Sequence, residues 1–211
     1  MTAINHHISD ALIASYAAGS LPQVFATVVA AHVSLCPQCR AALEAHQAVG
    51  GVVLDGIATS AVSKDMKQAT LALLDAPYIP QPEYDRSGIY PGPVVQAMEG
   101  KNPKWKTLGM GVKQSILSED RSGSVRLLYI PAGQAVPDHG HNGLELTLVL
   151  QGSFTDETGQ FGVGDVEIGD SDLEHTPIAD AGLPCICLAA TDARLRFNAF
   201  LPRLLQPLFR I

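Results

Sequence analysis

At 211 residues the chain has room for one large domain or two modest ones. Hydrophobic residues make up 46% and charged residues 17%, so the chain can bury a core and is not a disordered one. The net charge of -7 argues against direct binding to nucleic acid, whose phosphates call for basic surface, and suits a basic protein partner instead.

The stretch MTAINHHISDALIASYAAG lacks the basic and long apolar regions of a signal peptide. No apolar run reaches the roughly 18 residues of a membrane span. The expectation is a cytoplasmic chain with no membrane contact. Its four cysteines form two close pairs, Cys36/Cys39 and Cys185/Cys187, which in that compartment read as ligands or redox thiols before disulfides.

The first part reads as helical. Ser9 is the expected N-cap of a helix running to Ala18, with Gly19 as its stop. Ser20 and Gln23 resemble a capping box with Pro22 in the first turn, ahead of an apolar run, Val24 to Val33. Pro37 opens a third helix expected to end at Gly50-Gly51, and Ser63 caps a fourth reaching about Asp75. Four short helices make a thin core, which a structural metal would support. Six of the 14 prolines then fall between Pro77 and Pro103, together with Gly88, Gly92 and Gly100, the signature of a linker.

Beyond it the pattern turns to short β-rich runs: Val112–Leu117, Val125–Ile130, Leu144–Leu150, Cys185–Ala190 and Leu195–Phe200. Turns such as Ser122-Gly123 and Glu157-Thr158-Gly159 separate them. Many short strands at this spacing predict a sandwich or barrel. The fold class is multidomain α + β. A small four-helix domain occupies 1–76, a Pro-rich linker 77–103, and a β sandwich or barrel 104–211.

His32, Cys36 and Cys39 are the chemical signal of the helical part. His32 and Cys36, four apart, share a helix face. Cys36 and Cys39 flank a helix start, where backbone N–H groups favour thiolates. Two thiolates and an imidazole suit Zn²⁺, and the adjacent His6-His7 pair supplies a fourth ligand, His7 ahead of His6. A redox CxxC is the alternative. His46 reads as a solvated helix position. An N-terminal His followed by this H-x3-C-x2-C resembles the zinc-containing anti-sigma domain, in which zinc organises the fold.

In the β part, Gly133-(x5)-His139-x-His141-(x3)-Glu145-(x6)-Gly152 matches the first cupin motif at every position, a resemblance that implies a jelly-roll β-barrel over 104–211. On extended backbone His139, His141 and Glu145 have one parity and point to one face, where two imidazoles and a carboxylate can hold a divalent metal. The second cupin motif keeps His175 as a ligand. Its usual Pro-x-Gly turn is replaced by Asp170-Ser171-Asp172, and its final Asn by Ala179. Eight acids and no Lys or Arg lie between Asp156 and Asp180, read as a solvated face, with a partner-facing or metal-attracting patch as the alternative. Cys185 and Cys187 fall on one strand face, either as small core residues or as an oxidant-responsive thiol pair.

Together the two halves resemble the ChrR-type zinc anti-sigma factors over essentially the whole chain. The shared residues include His6-His7-Ile8-Ser9-Asp10 and a C-terminal Leu195-Arg196-Phe197-Asn198 followed by Leu201-Pro202, Gln206-Pro207 and Phe209-Arg210-Ile211. The resemblance implies a regulator without enzymatic activity, whose helical domain holds an extracytoplasmic-function sigma factor and whose cupin domain answers singlet oxygen or related oxidants. It implies zinc at His7, His32, Cys36 and Cys39, and zinc or another divalent metal at His139, His141, Glu145 and His175. Val24, Phe25, Val28 and Val29 are candidates for core or partner contact. The rival reading is a metal-dependent cupin enzyme of dioxygenase or isomerase type with a helical regulatory module.

Overall fold

The computed structural model describes residues 3–75, 77, 80, 82–140 and 142–193, and the backbone of 196 and 197. His141 and most of the C-terminal run lie outside them.

Helix α1 (Asp10–Ala17) starts at Ser9, whose side chain accepts from Leu12 N–H, and Gly19 follows its end at φ 69°. Helix α2 (Gln23–Leu35) has Pro22 as N-cap and no side-chain cap. The expected capping box does not form, because Ser20 Oγ turns back to the Ser15 carbonyl at 3.2 Å and finishes α1 instead. Helix α3 (Pro37–Asp55) runs through Gly50 and Gly51. Neither glycine has the positive φ of a helix stop, so the helix continues at the usual glycine cost of about 1 kcal/mol each. Helix α4 (Met66–Ala72) and a 3-10 turn (Leu73–Asp75) follow. His46 is not simply solvated: its Nε2 lies 2.8 Å from Asp10 Oδ1, tying α3 to α1.

The proline-rich stretch holds helix α5 (Gly92–Ala97), started by prolines where a missing N–H costs nothing. Val94 and Val95 are buried, and α5 packs against α2.

Among the described residues the β part forms one six-stranded and two three-stranded sheets, with every pairing antiparallel. The large sheet is ordered β1 (Lys106–Gly109), β2 (Val112–Asp120), β3 (Gly123–Ile130), β11 (Cys185–Thr191), β5 (Glu145–Gln151), β8 (Val166–Gly169). The small sheets are β10 (Ile178–Ala179), β6 (Phe154–Thr155), β7 (Gln160–Phe161) and β12 (Arg196–Phe197), β4 (His139–Gly140), β9 (Glu174–His175). This is the expected architecture of helices followed by a cupin sheet domain. Gly133 and Gly152 of the first cupin motif turn the chain at φ 74° and 68°. A Cβ on Gly152 would stand 2.8 Å from the Pro184 carbonyl oxygen.

The central strands of the large sheet are buried on both faces. Alternation sends Leu146, Leu148, Ile186 and Leu188 to the outer face and Val149, Cys185 and Cys187 to the inner one, among Phe154 and Phe161. Helix α2 lies on the outer face. Val24, Phe25, Val28 and Val29 are buried there in one apolar cluster with Leu127, Leu146, Leu148 and Leu188. These four valine and phenylalanine side chains are therefore core. Each contributes roughly 1.5–3 kcal/mol by burial. The thin helical core is completed by the cupin sheet, so residues 77–103 join two parts that already share one apolar interior.

Candidate metal centres

The N-terminal centre forms where α2 meets α3. His32 sits in the last turn of α2, Cys36 is the N-cap of α3, and Cys39 lies one turn on. Cys36 Sγ accepts from Cys39 N–H at 3.5 Å, as a capping sulfur does. His7, in the segment before α1, places Nδ1 3.4 Å from Cys36 Sγ and 3.6 Å from Cys39 Sγ. One donor atom from each of His7, His32, Cys36 and Cys39 lies within 4.8 Å of all the others.

The chemistry of this set fits a metal ion. His32 is fully buried and its Nδ1–H donates to the Gly164 carbonyl at 2.9 Å. Nε2 thus carries the lone pair, and it has no hydrogen-bond partner although it is buried. A buried polar atom without a partner costs about 1–3 kcal/mol, and a cation relieves that cost. Burial keeps the ring neutral, its pKa lowered to about 4 despite the Gly164 bond. Burial and the neighbouring Cys36 push the Cys39 thiol up to about 11, because two thiolates repel each other when no cation lies between them. The four residues form a two-His, two-Cys cluster suited to a metal ion. His6 is turned elsewhere, against Phe161 at 4.3 Å between ring centroids.

In the cupin, strands β4 and β9 pair His139 directly with His175. Both are buried, and their Nε2 atoms are 3.2 Å apart. His139 Nδ1–H donates to the Pro137 carbonyl at 2.9 Å. His175 Nδ1 lies 2.7 Å from Asp156 Oδ2 and 3.1 Å from Glu167 Oε1. With Nδ1 of each ring held by an acceptor, both rings turn Nε2 to one point, the tautomer a metal needs.

Glu145 opens β5 and accepts from Thr147 Oγ1 at 3.0 Å. His139 and Glu145 do not share one extended strand, because β4 belongs to a small sheet and β5 to the large one. The crossing uses Gly143, where a Cβ would strike Asp192. Among the described residues Glu145 is in no group of three close donors, and His141 lies outside them.

Asp156 and Glu167 are the residues the sequence reading missed, folded into an acidic run taken as a solvated face. Asp156 Oδ2, Glu167 Oε1 and His175 Nδ1 cluster closely, and Glu167 is buried on β8. Burial raises Glu167 to about 7, with His175 opposing. Burial works against charge on His175 too, but the Glu167 and Asp156 carboxylates override it and raise its pKa to about 9. Burial also opposes charge on Asp156, yet hydrogen bonds from Glu167, His175 and Thr158 hold it well below the usual carboxylate range. Since these acids face Nδ1 rather than Nε2, they orient His175 from behind.

Asp170, in place of the usual turn residue, accepts from Asp172 N–H at 3.0 Å, and Ala179 is buried on β10. Cys185 and Cys187 lie on the inner sheet face with Sγ atoms 3.4 Å apart. The bond to Cys185 and complete burial raise the Cys187 thiol well above its ordinary value.

Residues 95–193 match the ChrR cupin-like domain family. Over 211 residues, 99% of each chain, the sequence is 53% identical to the anti-sigma-E factor ChrR of Cereibacter sphaeroides. The crystal structure of Rhodobacter sphaeroides SigE in complex with the anti-sigma ChrR matches at TM-score 0.81 and 50% identity, over 90% of this chain and 100% of that one. An RmlC-like cupin protein from Ralstonia eutropha matches at TM-score 0.42 and 22% identity, over 49% of this chain and 77% of its own. Identity of this degree along the whole length, spanning helices and cupin alike, makes the chain a member of the ChrR family of anti-sigma factors.

Proposed function

We propose that this protein is a cytoplasmic anti-sigma factor that binds and inhibits an extracytoplasmic-function sigma factor. The helical part, within 1–76, holds the sigma factor. The cupin part, within 104–211, governs release in response to singlet oxygen or related oxidants. Zn²⁺ at His7, His32, Cys36 and Cys39 organises the helices. A second divalent ion, Zn²⁺ in this reading, sits at His139, His141, Glu145 and His175.

The observation that carries the reading is an exposed apolar surface on the second half of α3 and on α4. Val49, Val52, Val53 and Leu54 on α3, with Leu71 and Leu74 beyond it, are all more than half exposed, Val52 at 74% and Leu74 at 78%. A helix that leaves its apolar side chains in water calls for a partner. The relative solved with SigE supports a sigma factor as that partner. No described helix is long and apolar enough to cross a membrane. The metal-dependent enzyme reading is set aside by the family, whose curated relative is a regulator over 99% of both chains.

The test is co-expression of the intact chain with the extracytoplasmic-function sigma factor of the same cell. The expected result is a stable complex that Val52→Asp and Leu74→Asp weaken, with the folded monomer preserved. Illumination with a photosensitiser should release the sigma factor from the unsubstituted chain and not from His175→Ala. No complex, or a complex indifferent to both charges, would overturn the reading.

A further inference from the structure

One turn of the cupin grips the N-terminal centre from behind. It is the connection between β7 and β8, residues 162–165, and Asp165 is its last residue. The Asp165 side chain is 4% exposed. Its Oδ1 accepts from the backbone N–H of Asn5 at 2.6 Å and of His6 at 2.9 Å, and its Oδ2 from Gly162 N–H at 2.8 Å. Val166 N–H donates to the His6 carbonyl at 3.2 Å. The Gly164 carbonyl accepts from His32 Nδ1. Gly164 has no side chain where one would collide, since a Cβ there would stand 2.6 Å from Ile4 Cδ1.

Two of the four donors are thus oriented by cupin atoms. The segment that carries His7 lies outside any helix or strand and so has no ladder of its own to hold it, and Asp165 supplies the tie through Asn5 and His6. His32 needs an acceptor on Nδ1 to present Nε2, and Gly164 supplies it. We propose that the Gly162–Val166 turn is the outer shell of the N-terminal metal site, with Asp165 as the positioning residue for His7 and the Gly164 carbonyl for His32. The metal affinity of the helical part is then set by the cupin. This rests on the reading that His7, His32, Cys36 and Cys39 hold a metal, and it deepens the proposed function by naming a route of regulation. Glu167, two residues beyond Asp165 and on β8, lies 3.1 Å from His175 Nδ1. A displacement of β8 at the cupin centre therefore moves the turn that aligns the other centre.

Co²⁺ binding to the full-length chain tests this directly. Thiolate-to-cobalt charge-transfer absorption reports Cys36 and Cys39 alone, because the cupin ligand set contains no thiolate. Asp165→Ala is expected to weaken the cobalt titration of that band about 10- to 100-fold, the effect of losing an outer-shell partner. Asp165→Asn, which keeps an acceptor for Asn5 and His6, should recover part of it. Asn5→Pro removes one donor from the segment before α1 without touching the cupin sheet, so it carries the test even if Asp165→Ala unfolds the chain. It should weaken the band severalfold. An unchanged titration in Asp165→Ala and Asn5→Pro would overturn the proposal. Absence of the band from the unsubstituted chain would instead overturn the metal reading beneath it, and neither result depends on a sigma factor.

Discussion

His139 and His175, 36 residues apart, face each other across the β4–β9 pairing with their Nε2 atoms 3.2 Å apart. Antiparallel pairing puts directly opposed side chains on one face, so the register of two very short strands creates this convergence. The carbonyl and carboxylates behind the rings hold it.

If the cupin holds the proposed metal, Glu167→Gln is expected to weaken its binding about 10- to 100-fold, because the amide is a poorer acceptor for His175 Nδ1–H than the carboxylate. His175→Ala, which removes the donor itself, should weaken it further. Competition against a chromophoric chelator measures both. Equal affinity in Glu167→Gln and the unsubstituted chain would show that the acid behind His175 has no orienting role.

Val28→Ala removes buried methyl groups between α2 and the cupin sheet and should destabilise the chain by roughly 2 kcal/mol. Because the apolar cluster is shared, helices and cupin should unfold together, with circular dichroism and the fluorescence of the single tryptophan, Trp105, giving coincident transitions. Val52→Ala, at an exposed position, should stay within about 0.5 kcal/mol. Two separated transitions would contradict a common core.

Removal of metal should lower stability by mass action. With free Zn²⁺ at about one hundred times the dissociation constant, chelation costs about 2.7 kcal/mol for one site. Cys39→Ser should abolish most of that loss at the N-terminal centre and leave the cupin metal in place. Calorimetry with and without chelator reads the difference, and a melting temperature indifferent to chelator would falsify the structural role of the ion.

Cys185 and Cys187 should resist alkylation in the folded chain at neutral pH. Both are buried, and the Cys187 thiol is held protonated by its bond to Cys185 and by burial. Mass spectrometry after iodoacetamide treatment should find them unmodified until denaturant is added. Rapid modification of the native chain would restore the oxidant-responsive thiol pair as a live reading.

Much of this protein is local in origin and so was legible in the sequence. The cap at Ser9, the stop at Gly19 and the helix start at Pro37 each depend on one or two neighbouring residues. His32, Cys36 and Cys39 are brought together by helix periodicity and a cap. The central strands β2, β3, β5 and β11 follow from β-rich composition between turns. Glu167 was not legible, because an acid in an acidic run looks solvated until its strand is known to be covered on both faces. Nor was the end of α3, since Gly50 and Gly51 adopt helical φ and a glycine stop requires the left-handed one.

By itself the sequence determined the family, the order of helices then cupin, and the two-His, two-Cys set that converges between α2 and α3, because these follow from motifs and spacings along the chain. The tertiary structure decided that α2 faces the cupin sheet and leaves the end of α3 and α4 as the uncovered apolar surface. It also decided that Asp165 and Gly164, more than 130 residues away from His32 in the chain, stand behind the N-terminal centre. Those relations rest on long-range packing of apolar faces. Amphipathic pattern shows that such a face exists and is silent on which surface will cover it.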